Sequence, residues 1–162
     1  MTFITTGSRN FQFNRLLRTV DLAIDMGLIA DVVFAQIGSS DYEIRNYEYV
    51  DYLNHDSFNE YIERCDVILT HGGTGVVVNS AKMGKKIVAV PRLAKYKEAV
   101  DNHQIQLIKA FEKLGLVTPC YKCGPEEIAR AITEAKSKEP PIFKSNTNTI
   151  IYSIDNYISK LV

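Results

Sequence analysis

The residues best suited to chemistry form a glycine-rich turn, His71-Gly72-Gly73-Thr74-Gly75. It lies between the apolar run Asp66 to Thr70 and the apolar stretch Val76 to Met83. A strand, a turn and a helix in that order can hold a phosphate. Glycines let the backbone approach closely, and the helix that follows points free amides and its positive dipole end at the anion. Thr74 adds a hydroxyl donor and His71 a ring N–H. The same glycines also serve a tight turn with close helix–sheet packing, and the turn alone leaves both readings open. It matches neither a P-loop, since no Gly-Lys-Ser/Thr follows, nor the spacing of a dinucleotide fingerprint.

A second group, Asp101-Asn102-His103-Gln104, follows a loop that opens at Pro91 and Arg92. Short polar side chains there can bond sugar hydroxyls or phosphates, and Asp101 or Asn102 can equally cap a helix. Gly7-Ser8-Arg9 and Gly38-Ser39-Ser40 are further Gly- and Ser-rich turns. Cys120 and Cys123 form one CxxC. Zinc would need two more ligands, and a redox pair belongs near an early strand–helix turn, so a surface loop is expected. Lys82, Lys85, Lys86, Arg92, Lys95 and Lys97 read as a solvated basic face, with attraction to anionic headgroups as the alternative.

These turns must be positioned by regular elements. Thr2 to Thr6 reads as a strand stopped by Gly7. Phe13 to Met26 is a predicted helix with Leu16, Leu17, Val20, Ala23 and Ile24 on one face, ending at a C-cap Gly27. Ala30 to Ile37 is nearly continuous in apolar character, as suits a parallel strand covered on both faces. Tyr47 to Tyr52 is a weaker strand. Ser57 to Glu60 reads as a capping box, and Asp66 to Thr70 as the next strand. Val76 to Met83 is a predicted helix, Ile87 to Val90 a strand, Ala99 to Leu114 a long helix and Leu116 to Thr118 a short strand. Pro125 suits the first position of a helix that Glu126 and Glu127 favour. Asn148 to Leu161 reads as a terminal helix. The alternation implies an α/β doubly wound parallel sheet with helices on both faces, in a single domain over 1–162 (149–162 terminal). Ligands of such sheets bind beyond the carboxyl ends of the strands.

Composition narrows the classes. Hydrophobic residues make up 46% and charged residues 23%, which fits a globular core. Lys+Arg and Asp+Glu are equal at 19 each, without the basic excess of a nucleic-acid binder. No apolar run is long enough to span a bilayer. The opening MTFITTGSRN has no charged leader, and the three cysteines fit a reduced cytoplasmic setting.

The segment HGGTGVVVNSAKMGKKIVAVPR followed by DNHQ resembles the C-terminal, nucleotide-sugar-binding domain of family 28 glycosyltransferases. More narrowly, it is similar to the small subunits of two-piece transferases. These include the N-acetylglucosaminyltransferase subunit of asparagine-linked glycosylation and bacterial capsule or exopolysaccharide β-1,4-galactosyltransferase subunits. Gly7 with Phe13-Asn14-Arg15-Leu16-Leu17, Gln36-Ile37-Gly38-Ser39-Ser40, and Pro91-Arg92-Leu93 fit the bacterial branch. The resemblance implies a Rossmann-like C-terminal half of a GT-B enzyme. Its donor site would draw on Gly7, Ser8, Gly38, His71, Gly72, Gly73, Thr74, Gly75, Asn79, Arg92, Asp101, Asn102, His103 and Gln104. The family places a sugar- or ribose-binding carboxylate in the helix after the turn, and Asn79 stands at the matching position without a charge. Gln104 would meet sugar hydroxyls, and His103 phosphate or sugar.

The implied reaction moves a hexose, galactose in β-1,4 linkage, from a UDP-sugar to a lipid-linked saccharide. No Asp-x-Asp motif occurs, so neither a metal nor a cofactor is expected. The general base and the membrane anchor would come from a partner carrying the N-terminal half, and in isolation the chain would either expose an apolar patch or cover it by self-association. The protein would then sit peripherally at the inner membrane face. Alternatives are a noncatalytic regulatory subunit, or an N-acetylglucosamine or glucose transferase subunit.

Overall fold

The computed structural model describes residues 1–143. Six parallel strands form one sheet: β1 (Thr2–Thr5), β2 (Val33–Gln36), β3 (Glu48–Val50), β4 (Val67–Thr70), β5 (Lys86–Ala89) and β6 (Thr118–Pro119), in the order β3-β2-β1-β4-β5-β6. Five helices connect or flank them: α1 (Asn14–Asp25), α2 (His55–Arg64), α3 (Thr74–Lys82), α4 (His103–Lys113) and α5 (Pro125–Ser137). The expected Rossmann-like doubly wound sheet is therefore present.

The strands alternate strictly, so each face of the sheet has its own core. Ile4, Ala35, Val67, Leu69, Val88 and Val90 pack under α1 and α5, with Leu16, Leu17, Val20, Ile128 and Ile132. On the other face Phe3, Phe34 and Ile68 meet Ile62 of α2. Ile87 and Ala89 meet Val77 of α3 and Ile108 and Phe111 of α4. Tyr61 of α2 stacks flat on Phe34 with ring centroids 4.0 Å apart.

Several element bounds differ from the sequence expectation. β2 is shorter than Ala30 to Ile37, because Asp31 turns out of the sheet to pair with Lys136 and accept from Thr2 Oγ1. The capping box at Ser57 does not form. The helix starts a turn earlier, where Asn54 Oδ1 accepts from Ser57 N at 2.8 Å, and Glu60 pairs with Arg64 at the surface instead. α3 starts at Thr74 and not Val76, which places Thr74 and Gly75 in its first turn. α4 starts at His103 and not Ala99, since the residues before it are tied into a loop. Gly27 ends α1 as expected, its N–H bonded to Ile24 O. The predicted terminal helix 149–162 lies outside the described residues.

Cys120 and Cys123 are not in a free surface loop. Cys120 is buried, and burial pushes its thiol up to about 12. Cys123 Sγ packs 3.6 Å from Thr19 Oγ1 of α1. The basic residues form no continuous face either. Lys85 Nζ donates to Glu63 O and Cys65 O, Lys86 Nζ to Lys136 O, and Arg92 is fully buried.

Among the described residues two acids are buried, Asp21 and Glu98. Asp21 of α1 accepts from Tyr42 Oη, Asn46 N and Asn46 Nδ2 at 2.8 to 3.0 Å. It fixes the loop between β2 and β3, which returns the chain to the rim of the site.

Candidate functional site

The order β3-β2-β1-β4-β5-β6 reverses direction between β1 and β4. Thr5 pairs with Thr70, so these two strands end level. The chain then leaves β1 toward α1 on one face and β4 toward α3 on the other. A crevice outside the carboxyl ends must open there. A cleft of about 690 Å³ occupies that place.

Among the described residues, the cleft brings together Gly7, Ser8, His71, Gly73, Thr74, Gly75, Arg92, Asp101, His103 and Gln104. Four other candidates stand apart from it. Gly38 supports the β1 turn from behind, where a Cβ would lie 2.7 Å from Gly7 O. Gly72 faces α4, and a Cβ there would meet Ile108 at 2.6 Å, so packing against α4 requires a glycine. Asn79 turns to α2, its Nδ2 donating to Asn59 Oδ1 at 3.1 Å. Asn102 Oδ1 accepts from Ala94 N at 3.0 Å and so holds the loop before α4.

His71 builds the wall of the cleft between the two turns. A Cβ on Gly7 would lie 2.6 Å from His71 Cε1, and one on Gly73 would lie 2.3 Å from Nε2. The ring fills the space that both glycines leave empty. Burial, reinforced by the nearby Arg92 charge, holds its pKa down at about 4. The imidazole is therefore neutral at neutral pH and keeps one donor and one acceptor.

The electrostatics at this end favour an anion. The α3 N-terminus has Gly73 as its N-cap and no side-chain cap, so its first amides stay available. Thr74 is exposed beside them. Arg92 lies under the floor, 2% exposed, with Nη2 donating to Thr6 O at 2.6 Å and Phe11 O at 3.1 Å. Its reading as a direct donor contact changes accordingly: the side chain ties the β1 turn down while adding charge beneath it. Arg9 lines the cleft as a second cation.

At the α4 end, Asp101 Oδ1 accepts from His103 N, the first amide of that helix, at 2.9 Å. Gln104 Oε1 accepts from Arg92 N at 2.9 Å. That leaves the Gln104 amide as the hydrogen-bonding group free to donate.

The opposite end is apolar and aromatic, lined by Tyr52, Leu53, His55 and Phe58. Sequence reasoning missed this end. Tyr47, Tyr49 and Tyr52 precede α2 in the sequence, and the reading of Tyr47 to Tyr52 as a strand gives them no further role.

Sheet order, helices on both faces and a cleft at the β1–β4 reversal define a Rossmann-like, doubly wound nucleotide-binding type of domain. The chain belongs to the glycosyltransferase family 28 C-terminal domain family, whose model matches residues 1–159. It is 25% identical over 113 residues to the UDP-N-acetylglucosamine transferase subunit ALG13 of Candida albicans, covering 70% of this chain and 34% of that protein. The subunit of the same name from Kluyveromyces lactis is 28% identical over 87 residues, covering 54% of this chain and 42% of that one. This chain thus spans well under half of either relative. In fold, it is similar to the calicheamicin glycosyltransferase CalG4, with a TM-score of 0.61 at 20% identity over 85% of this chain and 34% of that one. It is also similar to MurG of Acinetobacter baumannii, with a TM-score of 0.55 at 15% identity over 93% and 48%. Among the described residues no helix is long and apolar enough to cross a membrane.

Proposed function

We propose that the cleft binds a UDP-sugar and that the chain is the donor-binding, catalytic subunit of a two-component glycosyltransferase. The observation that carries this reading is the uncapped N-terminus of α3 meeting the Gly7–Arg9 turn at the sheet reversal, with Arg92 buried beneath it and Arg9 in its lining. The diphosphate sits there. The uracil lies toward Tyr52, Leu53 and Phe58, where flat apolar surface suits a base. The sugar lies toward His103 and Gln104.

Cleaving the bond from sugar C1 to diphosphate oxygen leaves an oxocarbenium-like carbon and a leaving anion. The α3 amides and the helix dipole face that anion, and the reading includes no cofactor. In this reading the acceptor hydroxyl loses its proton to a general base on a partner subunit.

The finer reading is galactose transfer, β-1,4, to a lipid-linked saccharide in capsule or exopolysaccharide assembly. It rests on the bacterial-branch segments around Arg15, Gly38 and Arg92. The relatives' name, UDP-N-acetylglucosamine transferase subunit, favours N-acetylglucosamine as the second reading and supports a subunit arrangement. A membrane-anchored partner would hold this chain peripherally at the cytoplasmic membrane face. Val100, 83% exposed, and Tyr96, 45% exposed, offer that partner apolar surface on the segment beside the cleft.

The test is calorimetry on Gln104→Ala. Losing one hydrogen bond to the sugar should weaken UDP-galactose or UDP-N-acetylglucosamine about tenfold, while UDP changes less than about threefold. Equal losses for UDP and the UDP-sugar would remove Gln104 from the sugar.

A further inference from the structure

The segment from Pro91 to Gln104 carries the residues assigned to the donor sugar, yet it has almost no regular structure. One 3₁₀ turn, Ala94–Tyr96, is all it forms before α4. Its shape comes from side chains. Three consecutive backbone amides each donate to a side-chain oxygen from the returning arm. Arg92 N donates to Gln104 Oε1, Leu93 N to Glu98 Oε2 and Ala94 N to Asn102 Oδ1, all within 2.9 to 3.0 Å. The loop is thereby clasped on itself.

Glu98 is the member of this clasp that reaches outside it. It is 0% exposed, so it offers no surface to a ligand. Arg15 of α1 meets it in a two-pronged pair, Nε to Oε1 at 2.9 Å and Nη2 to Oε2 at 2.8 Å. Arg15 Nη2 also donates to Pro91 O at 2.8 Å, so one guanidinium holds both the start and the middle of the loop. Its Cζ also lies over the rings of Phe13 and Tyr96, 5.4 and 5.0 Å from their centroids. Gln12 Nε2 adds a bond to Tyr96 O at 2.8 Å. A flexible lysine could not form this fork, which only a planar guanidinium supplies.

We propose that Arg15 and Glu98 are positioning residues for the donor sugar. They lock the clasp to α1 and so fix where Asp101, His103 and Gln104 stand relative to the diphosphate end. The inference rests on the UDP-sugar reading and deepens it: diphosphate binding depends on the β1 and β4 turns, while sugar recognition depends on this pair.

The variants are Glu98→Gln, which keeps an acceptor for Leu93 N, and Arg15→Lys, which keeps the charge but loses the fork. Calorimetry with UDP, UDP-galactose and UDP-N-acetylglucosamine is run on the full chain. Each variant should raise the ratio of UDP-sugar to UDP dissociation constants about tenfold, with UDP itself within about threefold of wild type. The double variant should lose no more than the worse single one, since both act through one contact. An unchanged ratio, a parallel loss of UDP, additive losses or a shift in Glu98→Gln alone would overturn the proposal.

The clasp is also read without ligand. Amide exchange at Arg92, Leu93 and Ala94 should speed up at least about tenfold in both variants, and unchanged protection there would overturn the proposal by itself. Wild-type chain that binds none of the three nucleotides would instead defeat the UDP-sugar reading, a result seen before any variant is made.

Discussion

Gly73→Val is expected to lower UDP affinity at least about a hundredfold. The backbone at Gly73 is ordinary, with φ −68, so the requirement is for space and not for a special conformation. A Cβ there would stand 2.3 Å from His71 Nε2 and 2.8 Å from Cε1. The ring cannot retreat toward β1, because it already fills the room left by Gly7. Either the imidazole leaves the wall or the N-terminus of α3 shifts, and both changes move the amides that face the diphosphate. Overpacking of this kind also costs about 1–3 kcal/mol of stability. His71→Ala placed on Gly73→Val removes the atoms in the way and should return most of the lost thermal stability. Calorimetry and thermal melting check both parts. Unchanged UDP affinity in Gly73→Val would count against the site, and no rescue by His71→Ala would count against the wall.

The second large effect concerns transfer. A GT-B enzyme closes two Rossmann-like halves around donor and acceptor, and this chain supplies the C-terminal type of half. Binding and orientation of two substrates account for many orders of magnitude in rate. With the acceptor unplaced and the general base proposed to lie on the partner, the purified chain should transfer sugar to a lipid-linked saccharide at least about a thousandfold more slowly than with a membrane-anchored N-terminal-half partner. The assay compares the two with radiolabelled UDP-galactose and UDP-N-acetylglucosamine. Full activity from the chain by itself, in detergent, would refute the two-component reading.

Much of the scaffold was legible because the strands are short apolar runs between breakers. Ile68, Leu69, Ile87 and Val88 are apolar on both faces, as buried parallel strands require. The glycine turn was legible for the same reason, since its neighbours could be nothing but a strand and a helix. Acids doing interior work were not. Glu98 follows Lys95, Tyr96 and Lys97 in the sequence, where nothing signals burial, yet it is buried with a partner 83 residues away. Asp21 looks like the polar face of α1, and only the returning loop at Tyr42 and Asn46 encloses it. Arg92 reads as part of a surface cluster because Thr6 and Phe11, its carbonyl partners, are more than 80 residues earlier. The start of α4 was misplaced for a related reason. The helix was expected from Ala99, but Asn102 Oδ1 is taken by Ala94 N and Asp101 Oδ1 by His103 N, so the regular turns begin only at His103.

The central claim is that UDP occupies the cleft at the β1–β4 reversal. Backbone amide NMR of the full chain, titrated with UDP to roughly millimolar concentration, tests it directly, since affinities from micromolar to millimolar correspond to about 4–8 kcal/mol. The account predicts saturable shifts at Gly7, Ser8 and Arg9, at Gly73, Thr74 and Gly75, and at Leu53 and His55. A second hollow of about 480 Å³ lies away from this cleft, beside β5, β6 and α5, where Lys86, Thr118 and Glu134 line it. Shifts confined to those residues, or none at saturating nucleotide, would contradict the account.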